Sequence, residues 1–324
     1  MTSPLVSRIL FATDFSECAA RAQAYAVFLA QADKAKLDIL HVLEFQPGMD
    51  PDYDINKMYL EQLRKQAVQQ LDELVNLPAL AALSAQGRIT LGIPSQQIKK
   101  VAKERDTDLV VLGTHGRTGL EHVLLGSTAE RVVRDAPCPV LTVRLPRAHG
   151  ALKETPTGTG PIAVQRLLVP VDFSDCSLEA LEYAVQVGKQ FKAAVTILHV
   201  LEPVSYGLDF ILCHAREDHQ VRERVQSRLS ELAVLLKSQG LTTQHEVRGG
   251  TPRDSILDCA RERESDLIVM GTHGRRGLSH LVTGSVAEAV LRHASCPVLT
   301  VKSPKFSSGH QRVLPETTAR PVQG

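Results

Sequence analysis

An α/β fold of two tandem, doubly wound, five-stranded parallel-sheet domains of Rossmann-like type is predicted by three observations. They are a long repeat at one fixed offset, short apolar runs alternating with amphipathic stretches, and glycines gathered just after one apolar run in each repeat. GTHGRTGLEHVLLGST, from Gly113 to Thr128, returns 158 residues later as GTHGRRGLSHLVTGSV, from Gly271 to Val286. The same offset carries Asp14-Phe15-Ser16 onto Asp172-Phe173-Ser174, His41-Val42-Leu43-Glu44 onto His199-Val200-Leu201-Glu202, Gly92 and Pro94 onto Gly250 and Pro252, and Cys138-Pro139-Val140 onto Cys296-Pro297-Val298. Between Val110–Val143 and Ile268–Val301, 22 of 34 positions are identical. A length of 324 residues with 43% hydrophobic content suits two ordinary cores.

The elements follow in order along the first repeat. RILFAT reads as a strand, SECAARAQAYAVFLAQA as a helix, KLDILHVLE as a strand and NKMYLEQLRKQAVQQLDELV as a helix. RITLGI is then a strand, PSQQIKKVAKER a helix, DLVVLGT a strand, STAERVVRDA a helix and CPVLTVR a final strand. The second repeat supplies RLLVPV, TILHVLE, TTQHEVRG, DLIVMGT and CPVLTVK as its strands. Apolar runs without strict alternation belong to strands covered on both faces. Strands that alternate with helices run parallel through right-handed crossovers. The first domain is placed at residues 1–145 and the second at 163–303. Residues 146–162 form a linker inside LPRAHGALKETPTGTGPIAVQ, where Pro, Gly and Thr displace apolar periodicity. The tail, 304–324, has the same character and is expected not to fold. The last strand of each half, CPVLTV, is a sheet edge, and an open edge needs a cover.

Bulk properties exclude several classes. A net charge of +1 and a pI near 7.7 give no electrostatic reason to expect nucleic acid or an anionic membrane as a partner. No apolar stretch approaches the roughly 18 residues of a membrane span, and MTSPLVSRILFATDFSE lacks a basic-then-apolar leader, so a cytoplasmic protein is expected. Six cysteines form no CxxC pair and sit in apolar or helical contexts, which suits reduced, buried thiols.

The glycines carry the chemistry. Gly113-x-x-Gly116, nine residues, then Gly126-Ser127 recurs as Gly271-x-x-Gly274, nine residues, then Gly284-Ser285. Such a stretch leaves a strand, loops out and enters a helix, and glycine permits positive φ or the close approach of a ligand to main-chain N–H groups. Ser127 and Ser285 open helices whose first N–H groups and dipole favour an anion, so a phosphate chain suits the space between loop and helix. Arg117 and Arg275 stand where a charge-assisted contact would add roughly 1.5–3 kcal/mol. Neither GxxxxGK[ST] nor a GxGxxG after the first strand is present. Ligands of doubly wound sheets bind at the carboxyl ends of strands, where Asp14, Asp172, Val42 and Val200 also fall.

With these residues in hand, the chain resembles the universal stress protein family in its tandem two-domain form. The resemblance rests on the G-2x-G-9x-G-[ST] spacing, the DFS and HVLE segments and CPVLTV. It implies a Rossmann-like fold of the adenine nucleotide alpha hydrolase-like kind. Family members with this glycine motif bind ATP, and both repeats here carry it complete. By that resemblance, Asp14, Val42, Leu112, Gly113, Gly116, Arg117, Gly126, Ser127 and Thr128 would hold one ATP, with or without Mg²⁺. Asp172, Val200, Met270, Gly271, Gly274, Arg275, Gly284, Ser285 and Val286 would hold another. The aspartate would face the nucleoside, the valine backbone the adenine, and the glycine loop with its serine the phosphates. Single-domain members dimerise, often through the last strand, so an intramolecular pseudo-dimer is expected, with a homodimer of whole chains open.

Plainer readings stand beside these. Asp14 and Asp172 also fit helix-capping turns, and Ser127-x-x-Glu130 and Ser285-x-x-Glu288 also fit a capping box. Gly113 and Gly271 would serve as strand-end turns, and Arg117 and Arg275 as solvated charges. His115 and His273 stand in the loop as general-base candidates or as structural histidines, the role that suits His41 and His199. Cys213, His214 and His219 have no standard zinc spacing. Burial explains Cys18, Cys176, Cys138 and Cys296 better than redox work. No carboxylate pair, nucleophile triad or second acidic cluster for Mg²⁺ is visible. The expectation is therefore regulatory nucleotide binding in a stress response, displayed to a regulatory protein partner. The alternatives are a slow ATPase or self-phosphorylating enzyme with Ser127 or Ser285 as acceptor, and an interaction module without nucleotide.

Overall fold

A computed structural model of the chain describes residues 4–44, 54–115, 125–145, 162–202, 211–273, 284–302 and 312–314, with backbone alone for 54, 55 and 211–218. The first half runs β1 (Arg8–Thr13), α1 (Glu17–Asp33), β2 (Lys36–Leu43), α2 (Asp54–Val75), α3 (Pro78–Ala81), β3 (Gln86–Leu91), α4 (Pro94–Glu104), β4 (Leu109–Gly113), α5 (Ser127–Asp135) and β5 (Val140–Val143). The second runs β6 (Arg166–Pro170), α6 (Asp175–Phe191), β7 (Ala194–Leu201), α7 (Ile211–Ser238), β8 (Thr243–Gly249), α8 (Pro252–Glu262), β9 (Leu267–Gly271), α9 (Ser285–His293) and β10 (Val298–Val301). Every expected strand is present. Those written CPVLTV begin two residues later than expected, because a proline cannot donate to the ladder: Pro139 only accepts, its carbonyl taking the Val110 N–H at 3.0 Å. The short α3 was not foreseen. Pro78 cannot continue a helix and restarts one, whereas α7, without a proline there, runs unbroken.

All ten strands form one sheet in the order β3-β2-β1-β4-β5-β10-β9-β6-β7-β8. Strands are parallel within each half, and the two halves meet where β5 and β10 pair antiparallel, with Val298 opposite Thr142 and Thr300 opposite Val140. The Thr142 hydroxyl donates to the Val298 carbonyl at 3.1 Å and the Thr300 hydroxyl to the Val140 carbonyl at 3.2 Å. The edge expected to need a cover is therefore covered by its own repeat. Because the seam is antiparallel, the carboxyl ends of the two sets of strands lie at opposite edges of the sheet.

Helices α1, α2, α6 and α7 lie on one face and α4, α5, α8 and α9 on the other, and the apolar core on each face continues across the seam. On the first face Phe28 of α1 stacks on Phe191 of α6 with ring centroids 5.2 Å apart. Beside them Gln190 donates to the Asp33 carboxylate at 2.7 Å. Burial pushes the Asp33 carboxyl up, and the amides of Leu5 and Val6 with Gln190 pull it back.

One part of the tail departs from the expectation that it would not fold. Residues 312–314 lie against α6: the N–H of Val313 and of Leu314 donate to the Glu182 carboxylate at 3.0 Å and 2.8 Å, Arg312 pairs with Glu179, and Leu314 is buried. Polar tail composition hid this because the anchor is a carboxylate on α6, buried in the middle of an apolar helix face.

Candidate nucleotide site

Within each half the strand order reverses between β1 and β4, or between β6 and β9, and in doubly wound sheets that switch point is where the ligand crevice lies, outside the carboxyl ends of the strands. Asp14 follows β1, Val42 stands near the end of β2, Leu112 and Gly113 close β4, and Gly126, Ser127 and Thr128 begin α5, all on one edge. Asp172, Val200, Met270, Gly271, Gly284, Ser285 and Val286 take the same places on the opposite edge. Gly116, Arg117, Gly274 and Arg275 lie outside the described residues.

The turn from β1 into α1 is built the same way twice. Asp14 accepts from the Ser16 N–H at 3.1 Å and from the Ser16 hydroxyl at 2.6 Å, and Ser16 caps α1 by accepting from the Ala19 N–H at 3.2 Å. Asp172 does the same for Ser174, at 3.0 Å and 2.6 Å, and Ser174 caps α6. The aspartates thus brace the cap and the serines are the caps. Between them Phe15 and Phe173 sit at φ 61° and 63°, the left-handed region that costs a side chain of this size about 1–2 kcal/mol. Their rings are held by His41 and His199, at 4.5 Å and 5.0 Å between centroids. Each histidine is fixed in turn through Nδ1, at 2.8 Å from the Thr13 carbonyl and 2.6 Å from the Val171 carbonyl. His41 and His199 are therefore structural, and these phenylalanine–histidine pairs are site supports that residue type alone did not reveal. Their recurrence at the repeat offset was the available signal.

The strand-end glycines answer to space, not to handedness. A Cβ on Gly113 would stand 3.0 Å from Cys18 Sγ and 3.1 Å from its carbonyl carbon, and one on Gly271 would meet the Cys176 carbonyl carbon and oxygen at 2.9 Å. Bare glycine lets the first turn of α1 or α6 press onto the end of the central strand. Gly126 and Gly284 likewise do not use positive φ, standing at φ −59° and −60°. A Cβ on Gly126 would lie 3.0 Å from the Thr114 carbonyl, which accepts the Gly126 N–H at 2.8 Å. The Thr272 carbonyl takes the Gly284 N–H at the same distance. These bonds close the base of each loop and leave its span to the glycine-rich segment.

The same two glycines correct the capping-box reading. The N-cap residues of α5 and α9 are Gly126 and Gly284, with no side-chain cap, and Ser127 and Ser285 occupy the first helical position. Both serines are exposed at the crevice mouth. His115 and His273 hold Nδ1 at 2.8 Å from the hydroxyls of Thr114 and Thr272, which are buried.

The thiols of the described side chains are structural. Cys18 and Cys176 donate to the carbonyls of Val143 and Val301 at 3.3 Å and 3.2 Å. Burial pushes the Cys296 thiol up to about 12 and raises Cys259 as well, which suppresses the reactive thiolate. Among the described residues no cluster of His, Cys, Asp or Glu could hold a metal ion, and no helix is long and apolar enough to cross a membrane. His219 pairs with Glu223 at 3.4 Å, while the side chains of Cys213 and His214 lie outside the description.

Two tandem α/β units with duplicated crevices at the ends of parallel strands define the class of this protein. The chain matches the universal stress protein family over residues 6–144 and 163–302, and it belongs to that family. It is 35% identical over 142 residues to a universal stress protein of Methanocaldococcus jannaschii, covering 44% of this chain and 84% of that one. A universal stress protein of Mycobacterium tuberculosis is 28% identical over 231 residues, or 68% of this chain and 70% of the relative. The crystal structure of a universal stress protein from Archaeoglobus fulgidus shares the fold with a TM-score of 0.67 at 22% identity, over 91% of this chain and 98% of the other.

Proposed function

We propose that the chain is a regulatory ATP-binding universal stress protein of the cytoplasm, with one nucleotide cradle in each half, that acts in a stress response by occupancy and not by turnover. The observation that carries this reading is that α5 and α9 each begin on a glycine with no side-chain cap, at the mouth of the crevice and directly after the glycine loop. The first N–H groups of both helices therefore point toward a place where an anion is favoured, and the N-cap residues put no side chain on them. The family resemblance supports ATP, since members with this glycine spacing bind it.

The residues fit such a ligand. Asp14 and Asp172, half-buried across the crevice, suit the nucleoside end, and the main chain at Val42 and Val200 suits the adenine. Leu112, Gly113, Gly116, Arg117, Gly126, Ser127 and Thr128 suit the phosphates, as do Met270, Gly271, Gly274, Arg275, Gly284, Ser285 and Val286. Occupancy at a hundred times Kd stabilises the bound conformation by about 2.7 kcal/mol, enough to bias which surface a regulatory partner meets. The antiparallel pairing of β5 with β10 supports reading the chain as its own dimer.

Calorimetric titration of the intact chain with ATP tests the proposal. Two binding events are expected, with one lost in Gly126→Glu and the other in Gly284→Glu. Absence of heat with any adenine nucleotide at millimolar concentration would sink it in favour of an interaction module. A labelled-ATP assay with Mg²⁺ separates occupancy, in which intact ATP is retained, from steady product release by a slow ATPase.

A further inference from the structure

We infer that α5 and α9 couple the two cradles, so that an anionic ligand in one weakens binding in the other. The ligand in this inference rests on the nucleotide reading above, whereas the mechanical link does not. The cradles lie at opposite edges of the sheet, and a nine-residue helix spans roughly 13 Å of the distance between those edges. Helix α5 begins in the first cradle, and its far end is held from the second half: the Lys302 ammonium donates to the Arg134 carbonyl, in the last turn, at 2.8 Å. Lys302 directly follows Val301, which pairs with Gly271 and whose carbonyl accepts from Cys176 Sγ at 3.2 Å and from the Thr272 N–H at 3.4 Å. The lysine that caps α5 is thus rooted beside the end of β9, from which the second glycine loop departs.

A second tie runs from the end of α9 to the start of α5. Arg292, in the last turn of α9, lies 4.0 Å from Glu130 in the first turn of α5 and also pairs with Glu288 in the first turn of α9. Glu130 and Glu288 are repeat equivalents, each three residues beyond the serine that opens its cradle. One guanidinium therefore serves acidic groups beside both anion sites. A polyphosphate arriving at Ser127 repels Glu130 and draws Arg292 toward α5. Glu288 is then less neutralised, and an anion at Ser285 meets more negative charge. The coupling is negative in sign.

Two measurements test this. In the ligand-free chain, Lys302→Met is expected to speed amide exchange at the first turn of α5 as well as next to Arg134, and Lys302→Arg to keep the parental pattern. Faster exchange confined to the last turn would overturn the mechanical link. In ATP titrations, Gly126→Leu and Gly284→Leu isolate each site. The second binding step of the intact chain is expected to be about fivefold weaker than the isolated-site constant, and Arg292→Gln is expected to restore agreement between the two. Intact-chain constants equal to the isolated ones would overturn the coupling. If no variant and no parent binds ATP, the nucleotide reading has failed, and the exchange pattern alone decides the link.

Discussion

Set side by side, the two halves are alike at the crevice and unlike in what supports it. The Gly126 and Gly284 amides reach the Thr114 and Thr272 carbonyls at one distance, 2.8 Å. Both central strands end on a glycine beneath a cysteine, and both helix caps are serines braced by an aspartate. The supports diverge. Where α1 has Ala24, α6 has a buried glutamate that receives the tail, and where α2 has Gln70, α7 has Arg228 lying 4.2 Å over the ring of Phe173. The difference teaches that the crevice geometry tolerates different scaffolding, so perturbing the supports should separate the halves while perturbing the crevice should affect both.

The largest expected effect breaks the comparison at the tail. Ending the chain at Lys302 removes the Val313 and Leu314 amides from the Glu182 carboxylate and exposes the apolar surface that Leu314 covers. Charge-assisted bonds and a buried leucine, less the entropy of ordering three residues, leave a loss of roughly 2–3 kcal/mol, read as a thermal midpoint lower by several degrees. In a Glu182→Ala chain, which restores the first-half residue, the same truncation should cost clearly less. An equal cost in both backgrounds would mean that the glutamate is not the anchor. Next comes the strand-end glycine. Gly271→Ala forces a methyl into the backbone of Cys176 and should cost about 2 kcal/mol, while Gly113→Ala, whose nearest neighbour is a sulfur at 3.0 Å, should cost about 1 kcal/mol. Denaturant unfolding of the two variants checks the order, and a harmless Gly271→Ala would remove the packing explanation for that glycine.

Much of this was legible in the chain because it is written twice. The offset of 158 residues located the halves, the apolar runs located all ten strands, and the glycine spacing located both helix starts to the residue. What stayed hidden was decided by groups far apart in sequence. Nothing near Gly113 announces that Cys18, 95 positions earlier, will sit on it, so the glycine read as a ligand contact or a strand-end turn, and the clearance it gives the first turn of α1 stayed hidden. The capping box failed for a related reason: S-x-x-E fits the local rule, but the Gly126 N–H is bound to Thr114 across the loop, and the helix starts one residue before the serine could cap it. The docked segment at 312–314 was illegible because its partner is one buried carboxylate 131 residues away.

The smallest expected effect sharpens the comparison at the turn itself. Phe15 and Phe173 occupy the same left-handed conformation, so both turns carry a comparable strain, and over the Phe173 ring lies the Arg228 guanidinium of α7. An exposed cation over an aromatic face contributes about 0.5 kcal/mol, too little to hold the turn and enough to bias it. Arg228→Gln, which gives α7 the residue that α2 has at that place, should therefore leave global stability almost unchanged and raise amide exchange at Phe173 and Ser174. Identical exchange in parent and variant would show that the Arg228 contact does not help hold the turn, and would leave that task to the His199 contact and the Asp172–Ser174 brace.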